Sequence, residues 1–126
     1  MAREFKRADR VGAELRRELA ELMRGIEQER PEIGMVTIQE ARVSRDIAHA
    51  RVFFTRMGGA LEPVQAEFLL NEFAGRLRHE LGQRMRMRSV PALKFVYDTS
   101  IERGAHLSAL IDEVVPKPSS NDNEDD

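Results

Sequence analysis

A single α+β domain is the fold class this sequence predicts, and three observations predict it. Apolar residues recur at steps of three and four from Val11 to Ile26 and again from Ala66 to Met85, which is the spacing of one helix face. A segment rich in β-branched residues and a segment of alternating apolar residues lie between these runs, and a short apolar and aromatic segment, Leu93 to Tyr97, follows the second run. With 126 residues the chain has room for one core and hardly for two domains.

In the first helix Val11, Leu15, Leu19, Leu22 and Ile26 form the apolar face, and Arg30-Pro31 ends it because proline cannot continue the ladder. Met35 to Val43 reads as a strand in which Val36 and Ile38 hold one parity and Ala41 and Val43 the other, so a bulge or bend is expected near Glu40. Ser44-Arg45-Asp46 is turn chemistry, and Ala48, Ala50, Val52 and Phe54 alternate as the second strand of a hairpin. Gly58-Gly59 breaks that strand, and Pro63 stands where a helix can begin without needing its N–H. Ala66, Leu70, Phe73, Leu77, Leu81 and Met85 carry the helical spacing onward, with Ala74 and Gly75 marking a kink or a junction of two helices. Pro91 closes this unit. Leu93 to Tyr97 is the third strand, and Thr99-Ser100-Ile101-Glu102 has capping-box spacing for a short closing helix through Ile111.

Charge is divided unevenly along the chain. The 20 bases and 22 acids give a net −2, but residues 116–126 hold one base and four acids, leaving 19 bases and 18 acids for residues 1–115. Residues 1–115 are therefore expected to form the domain and residues 116–126 a disordered acidic tail, whose Pro, Ser, Asn and acidic residues cannot offset the entropy of ordering. The absence of cysteine excludes disulfides, thiol catalysis and thiolate metal sites. The charged start and the lack of a long apolar run imply neither a signal peptide nor a membrane span, so a soluble cytoplasmic protein is expected.

Catalytic signatures are missing. There is no phosphate-binding loop, no dinucleotide fingerprint and no zinc-protease motif, and His49, His79 and His106 have no partner at ligand spacing. Asp98-Thr99-Ser100 sets an acid beside hydroxyls, and helix capping competes with nucleophilic chemistry as the reading of those residues. No catalytic residue, metal or cofactor is expected.

The basic residues are more informative. Arg76, Arg78, Arg84, Arg86 and Arg88 lie in a stretch with one acid, Glu80, and on a continuous helix Arg76, His79, Gln83 and Arg86 would share a face away from Leu77, Leu81 and Met85. Arg3, Arg7, Arg10 and Arg17, with Lys6, form a second stripe beside the apolar face of the first helix. Two such stripes could make a phosphate-binding footprint, and the use of 17 arginines against 3 lysines suits bidentate phosphate contact. On charge alone, solvated helix faces paired with glutamates explain the same pattern. Phe53-Phe54 could be a stacking platform, or place one ring in the core and the other under a neighbour.

The order of elements resembles the KH fold in its bacterial arrangement. Val36-Thr37-Ile38, Val43-Ser44-Arg45-Asp46-Ile47 with Ala50-Arg51-Val52, Ala74-Gly75-Arg76-Leu77-Arg78, Met85 to Pro91 and Leu93 to Ser100 resemble successive blocks of the ribosome-binding factor A family, as does the opening Arg7-Ala8-Asp9-Arg10-Val11. The likeness runs over about residues 3–112. It implies a KH-like domain of bacterial type II, with a mixed three-stranded sheet covered by helices on one face. It also implies a non-enzymatic assembly factor that binds the free, immature small (30S) ribosomal subunit and its 16S rRNA, assists late maturation and processing, and supports growth in the cold. Other assembly factors or GTPases on the same particle would be its companions, and the free protein would be a monomer. A protein-interaction module of the translation apparatus without RNA contact is the alternative. KH domains clamp single strands with a Gly-x-x-Gly loop. No two glycines here are three apart, and where the family carries Ala-x-Gly this chain has Phe73-Ala74-Gly75. Arg76, Arg78, Arg84, Arg86 and Arg88, with the stripe from Arg3 to Arg17, are the expected rRNA contacts. Gly75 is expected to allow a close helix approach in preference to the alternative of touching RNA directly.

Overall fold

The computed structural model describes residues 2–99, with side chains from Lys6 onward. The expected closing helix and acidic tail lie outside the described residues. Helix α1 (Ala2–Glu29) leads through a 3₁₀ turn (Pro31–Ile33) to the hairpin β1 (Met35–Val43) and β2 (His49–Met57). Helices α2 (Pro63–Glu72) and α3 (Ala74–Arg84) then return the chain to β3 (Ala92–Tyr97). The sheet order is β1-β2-β3, antiparallel on one side of β2 and parallel on the other, which is the mixed KH-like sheet that the resemblance implies. A parallel return needs a crossover, and α2 with α3 supplies it.

One layer of helices covers one face of this sheet. Leu15, Leu19, Met23 and Ile26 of α1, Ala66, Leu69 and Leu70 of α2, and Leu77 and Leu81 of α3 are buried against Val36, Ile38, Val52, Phe54 and Phe95. Phe54 meets Phe95 and Tyr97 edge to face, at 6.5 and 5.4 Å between ring centroids. The parity change in β1 is a bulge: Ile38 pairs with Phe54 and Glu40 with Phe53, leaving Gln39 as the extra residue. The bulge turns Ala41 and Val43 toward the helices and Arg42 to the opposite face.

Side chains of the helices occupy both borders of the sheet. On β1, Glu27 accepts the Val36 N–H at 2.8 Å while Arg24 donates to the Val36 carbonyl at 3.3 Å. On β3, Asn71 donates to the Phe95 carbonyl at 3.0 Å and accepts the Phe95 N–H at 2.8 Å, and Glu67 accepts the Tyr97 N–H at 2.7 Å. These bonds satisfy backbone groups that edge strands otherwise leave unpaired. Gly12 lets α1 lie directly on β1, where a Cβ at this position would fall 2.5 Å from the Ala41 carbonyl oxygen.

The helical pair breaks at Phe73, one residue before Ala74-Gly75. Phe73, with φ −88° and ψ −1°, both ends α2 and precedes α3. The reason expected for Gly75 does not hold. A Cβ there would meet nothing within 4 Å, so no close helix approach requires glycine. Gly82, further along α3, is equally open.

Candidate nucleic-acid interface

Folding divides the expected arginines into two groups. Arg76 and Arg84 face α1, whose glutamates lie far away in sequence. Arg76 reaches Glu29 with two bonds, of 2.9 and 3.1 Å, lies 3.6 Å from Glu80, and stacks over Phe73 at 5.1 Å from the ring centroid. Arg84 spans Glu18 at 2.8 Å and Glu21 at 3.0 Å. These two forks fasten α3 to α1 and neutralise the charge they carry. Arg78 donates from Nε to the Val90 carbonyl at 2.8 Å, which anchors the segment after α3 while leaving the side chain exposed.

The second group has no carboxylate partner among the described residues. Lys6, Arg7, Arg10, Arg17, Arg86 and Arg88 are exposed, Arg7 and Arg86 among them lining an open cleft, and none makes an ion pair there. Helix α3 stops at Arg84, so Arg86 does not share a helix face with Arg76, His79 and Gln83, contrary to the expectation. The chain turns at Met85, whose extended backbone ends the helix, and this carries Arg86 beside the N-terminal half of α1. There Arg7, Arg10 and Arg86 line a cavity of about 220 Å³ with Val11, Glu14 and Met87. Arg17 continues the line of Arg10 two turns along α1. Arg3 lies in α1 and its side chain is outside the described residues.

Electrostatics follow the same division. The hydrogen bonds from Arg76 hold the Glu29 carboxyl below the ordinary glutamate value, and Glu29 in turn raises the Arg76 guanidinium. Arg84 is raised by its bonds to Glu21 and Glu18. Because the folded value of Glu29 is depressed, its contribution to stability is present above the ordinary carboxylate range and is lost as pH falls through the folded value. An NMR titration should place the Glu29 midpoint lower in the wild type than in Arg76→Ala. Coincident midpoints would contradict the fork.

Further cations lie on the strands, away from the two helical stripes. Arg42 of β1, Arg51 of β2 and Lys94 of β3 share the face of the sheet that the described helices do not cover, flanking Phe53. Their signal in the sequence is parity, since each alternates with a core residue of its strand. Of the Phe pair, Phe54 is fully buried and Phe53 is half-buried beneath Arg42 and Arg51. Among the described residues no group of three acids, histidines or cysteines could hold a metal ion, and no helix is long and apolar enough to cross a membrane.

A family model described as "Ribosome-binding factor A" matches residues 7–111. The chain belongs to the ribosome-binding factor A family. The ribosome-binding factor A of Thioalkalivibrio sulfidiphilus is 48% identical over 126 residues, covering 100% of this chain and 97% of that protein. That of Alkalilimnicola ehrlichii is 49% identical over 126 residues, covering 99% and 96%. The crystal structure of ribosome-binding factor A from Thermus thermophilus has a TM-score of 0.62 and 29% identity, over 71% of this chain and 94% of that one. Membership of the family makes this chain a ribosome-associated factor, and the family is one of binding proteins and not a known enzyme family.

Proposed function

We propose that this protein binds the free, immature small (30S) ribosomal subunit by gripping phosphates of its 16S rRNA, and that it assists late maturation and processing and supports growth in the cold without catalysing a reaction. It acts in the cytoplasm as a monomer when free. The observation that carries this reading is the convergence of Arg7, Arg10 and Arg86 around one cavity, with Arg17, Lys6 and Arg88 nearby in sequence and none of them in an ion pair among the described residues. Phosphate oxygens are the anions a rigid guanidinium fork fits best. Arg76 and Arg84 then serve mainly to hold α3 against α1, and so to set the position of Arg86. Holding one rRNA conformation favours a mature fold only through a difference in affinity between the two conformations.

Cosedimentation of the full chain with free small subunits, intact ribosomes and polysomes tests this. The free small subunit should be preferred, and affinity should fall steeply as salt rises, with a slope of about 0.9 per phosphate neutralised on duplex regions. Arg7→Gln/Arg10→Gln/Arg86→Gln should weaken binding by roughly one to two orders of magnitude and lower that slope by about 2 to 3. Arg76→Ala alone should do much less, because its charge is already matched by Glu29. Unchanged affinity and slope in the triple variant would refute the assigned surface.

A second reading, contact with a protein of the translation apparatus, is favoured by Val64 and Phe68. They stand one helical turn apart on α2 and are 70% and 68% exposed. Salt-insensitive binding that survives ribonuclease treatment and is lost in Phe68→Ser would select it.

A further inference from the structure

Every helix described packs on one side of the sheet, and among the described residues nothing covers the other side. The cross-strand register on that side sets Arg42 opposite Arg51, and Arg51 opposite Lys94, so three cations form one row across three strands. Neighbouring strands lie about 4.8 Å apart, and like charges directly opposite one another destabilise a sheet. Glu40 relieves this at one end, where it pairs with Arg42 at 2.9 Å, and Asp98 also acts on Arg42. Arg51 and Lys94 are exposed and make no ion pair among the described residues. The fold therefore maintains a repulsive row that nothing described neutralises at those two positions.

The aromatic ring of Phe53 completes the face. It pairs across the strands with Glu40 and Val96, next to the cationic row. The guanidinium groups of Arg42 and Arg51 lie 5.0 and 5.8 Å from its centroid. The β1 bulge is what makes this assembly possible, since in a regular strand of the same residues Arg42 would keep the parity of Val36 and Ile38 and point into the core. Guanidinium groups lying over an aromatic ring match the chemistry of a single-stranded nucleic acid, whose phosphates would draw them off the ring and whose bases would take their place on it.

We propose that this uncovered face is a second RNA-binding surface, taking a short unpaired segment with its phosphates on Arg51 and Lys94 and a base stacked against Phe53. The proposal rests on the reading that the partner is RNA and adds to it a single-stranded element held on the side of the domain opposite the helices. Charge complementarity alone would also suit an acidic peptide, but a peptide would have no need of the ring.

Fluorescence anisotropy with a labelled oligouridylate tests the proposal on the full chain. Arg51→Gln/Lys94→Gln and, separately, Phe53→Leu should each raise the dissociation constant by about tenfold. Neither is expected to melt below the wild type, because all three side chains lie outside the core and the charge variant relieves the repulsion across the row. Arg7→Gln/Arg86→Gln, on the helix side, should weaken small-subunit binding and retain most oligouridylate binding. Photocrosslinking of bromouridine-substituted RNA provides a second readout on the unmutated protein, with the crosslink expected on the peptide that carries Phe53. Sheet-face variants that bind like the wild type, while helix-side variants bind the particle more weakly, would overturn this inference and leave the rRNA reading standing. Loss in the charge variant with no change in Phe53→Leu would equally overturn it, in favour of an acidic ligand. Salt-independent particle binding unaffected by either set would overturn both.

Discussion

Gly12→Val should lower the melting temperature by on the order of 15 °C. A Cβ at this position falls 2.5 Å from the Ala41 carbonyl oxygen and 3.6 Å from the Val43 side chain, and the nearer obstacle is backbone, which no rotamer change can clear. Helix α1 would have to lift from β1, loosening the core that Leu15 and Leu19 share with Val36 and Ile38. Overpacking of this kind costs about 1–3 kcal/mol, and the modest gain in helix propensity over glycine does little to offset a clash with backbone, so the upper end applies. Each kcal/mol moves the midpoint of a domain this size by about 4–5 °C. Gly75→Ala and Gly82→Ala are the contrast. Both positions are open, and removing a helical glycine recovers up to about 1 kcal/mol, so both variants should melt a few degrees higher. Calorimetry of the three variants decides the matter, and an equal response at all three positions would show that close approach at Gly12 is not the constraint.

Asn71→Leu should cost about 3 kcal/mol, with the urea midpoint falling at unchanged slope. Leucine has the same number of side-chain heavy atoms and the same branch at Cγ, so the main effect is one of unmade hydrogen bonds. The amide of Asn71 donates to the Glu67 carbonyl at 2.9 Å and exchanges two bonds with Phe95, serving as a short length of neighbouring strand. Leucine would leave the N–H and carbonyl of a fully buried residue without these partners at the edge of the core. Asn71→Asp, which keeps the acceptor and loses the donors, should fall between. Hydrogen exchange at the Phe95 amide gives the local test: acceleration beyond that of the β2 amides is expected, and a uniform change would point to general loosening instead.

Much of the fold is legible in the sequence because it rests on local periodicity. The bulge near Glu40 shows itself as a change of parity within nine residues, and the helical junction as small residues inside an apolar run. The charge pattern is less legible, for a physical reason. Counting acids between Arg76 and Arg88 finds only Glu80, yet the other acids that meet Arg76 and Arg84 belong to α1, 47 to 66 residues away, and are brought there by the core face of the helix. The apolar spacing continues through Met85 and so assigns Arg86 to a helix face, whereas the backbone turns extended at Met85. Gly75 stands out by its position at the kink, while Gly12, which carries the tight contact, sits in a helical run where nothing in the neighbouring letters reveals a carbonyl of β1. Asn71 is silent for the same reason. Its partner is a strand residue 24 positions further on.

The closed borders of the sheet have a consequence for the company this protein keeps. An open β-edge is a template to which any unfolded chain segment can add as a further strand. With Glu27 and Arg24 occupying one margin and Asn71 and Glu67 the other, the backbone offers such chains no ladder to join at those points. Selectivity is thereby left to side chains, which can be chosen residue by residue.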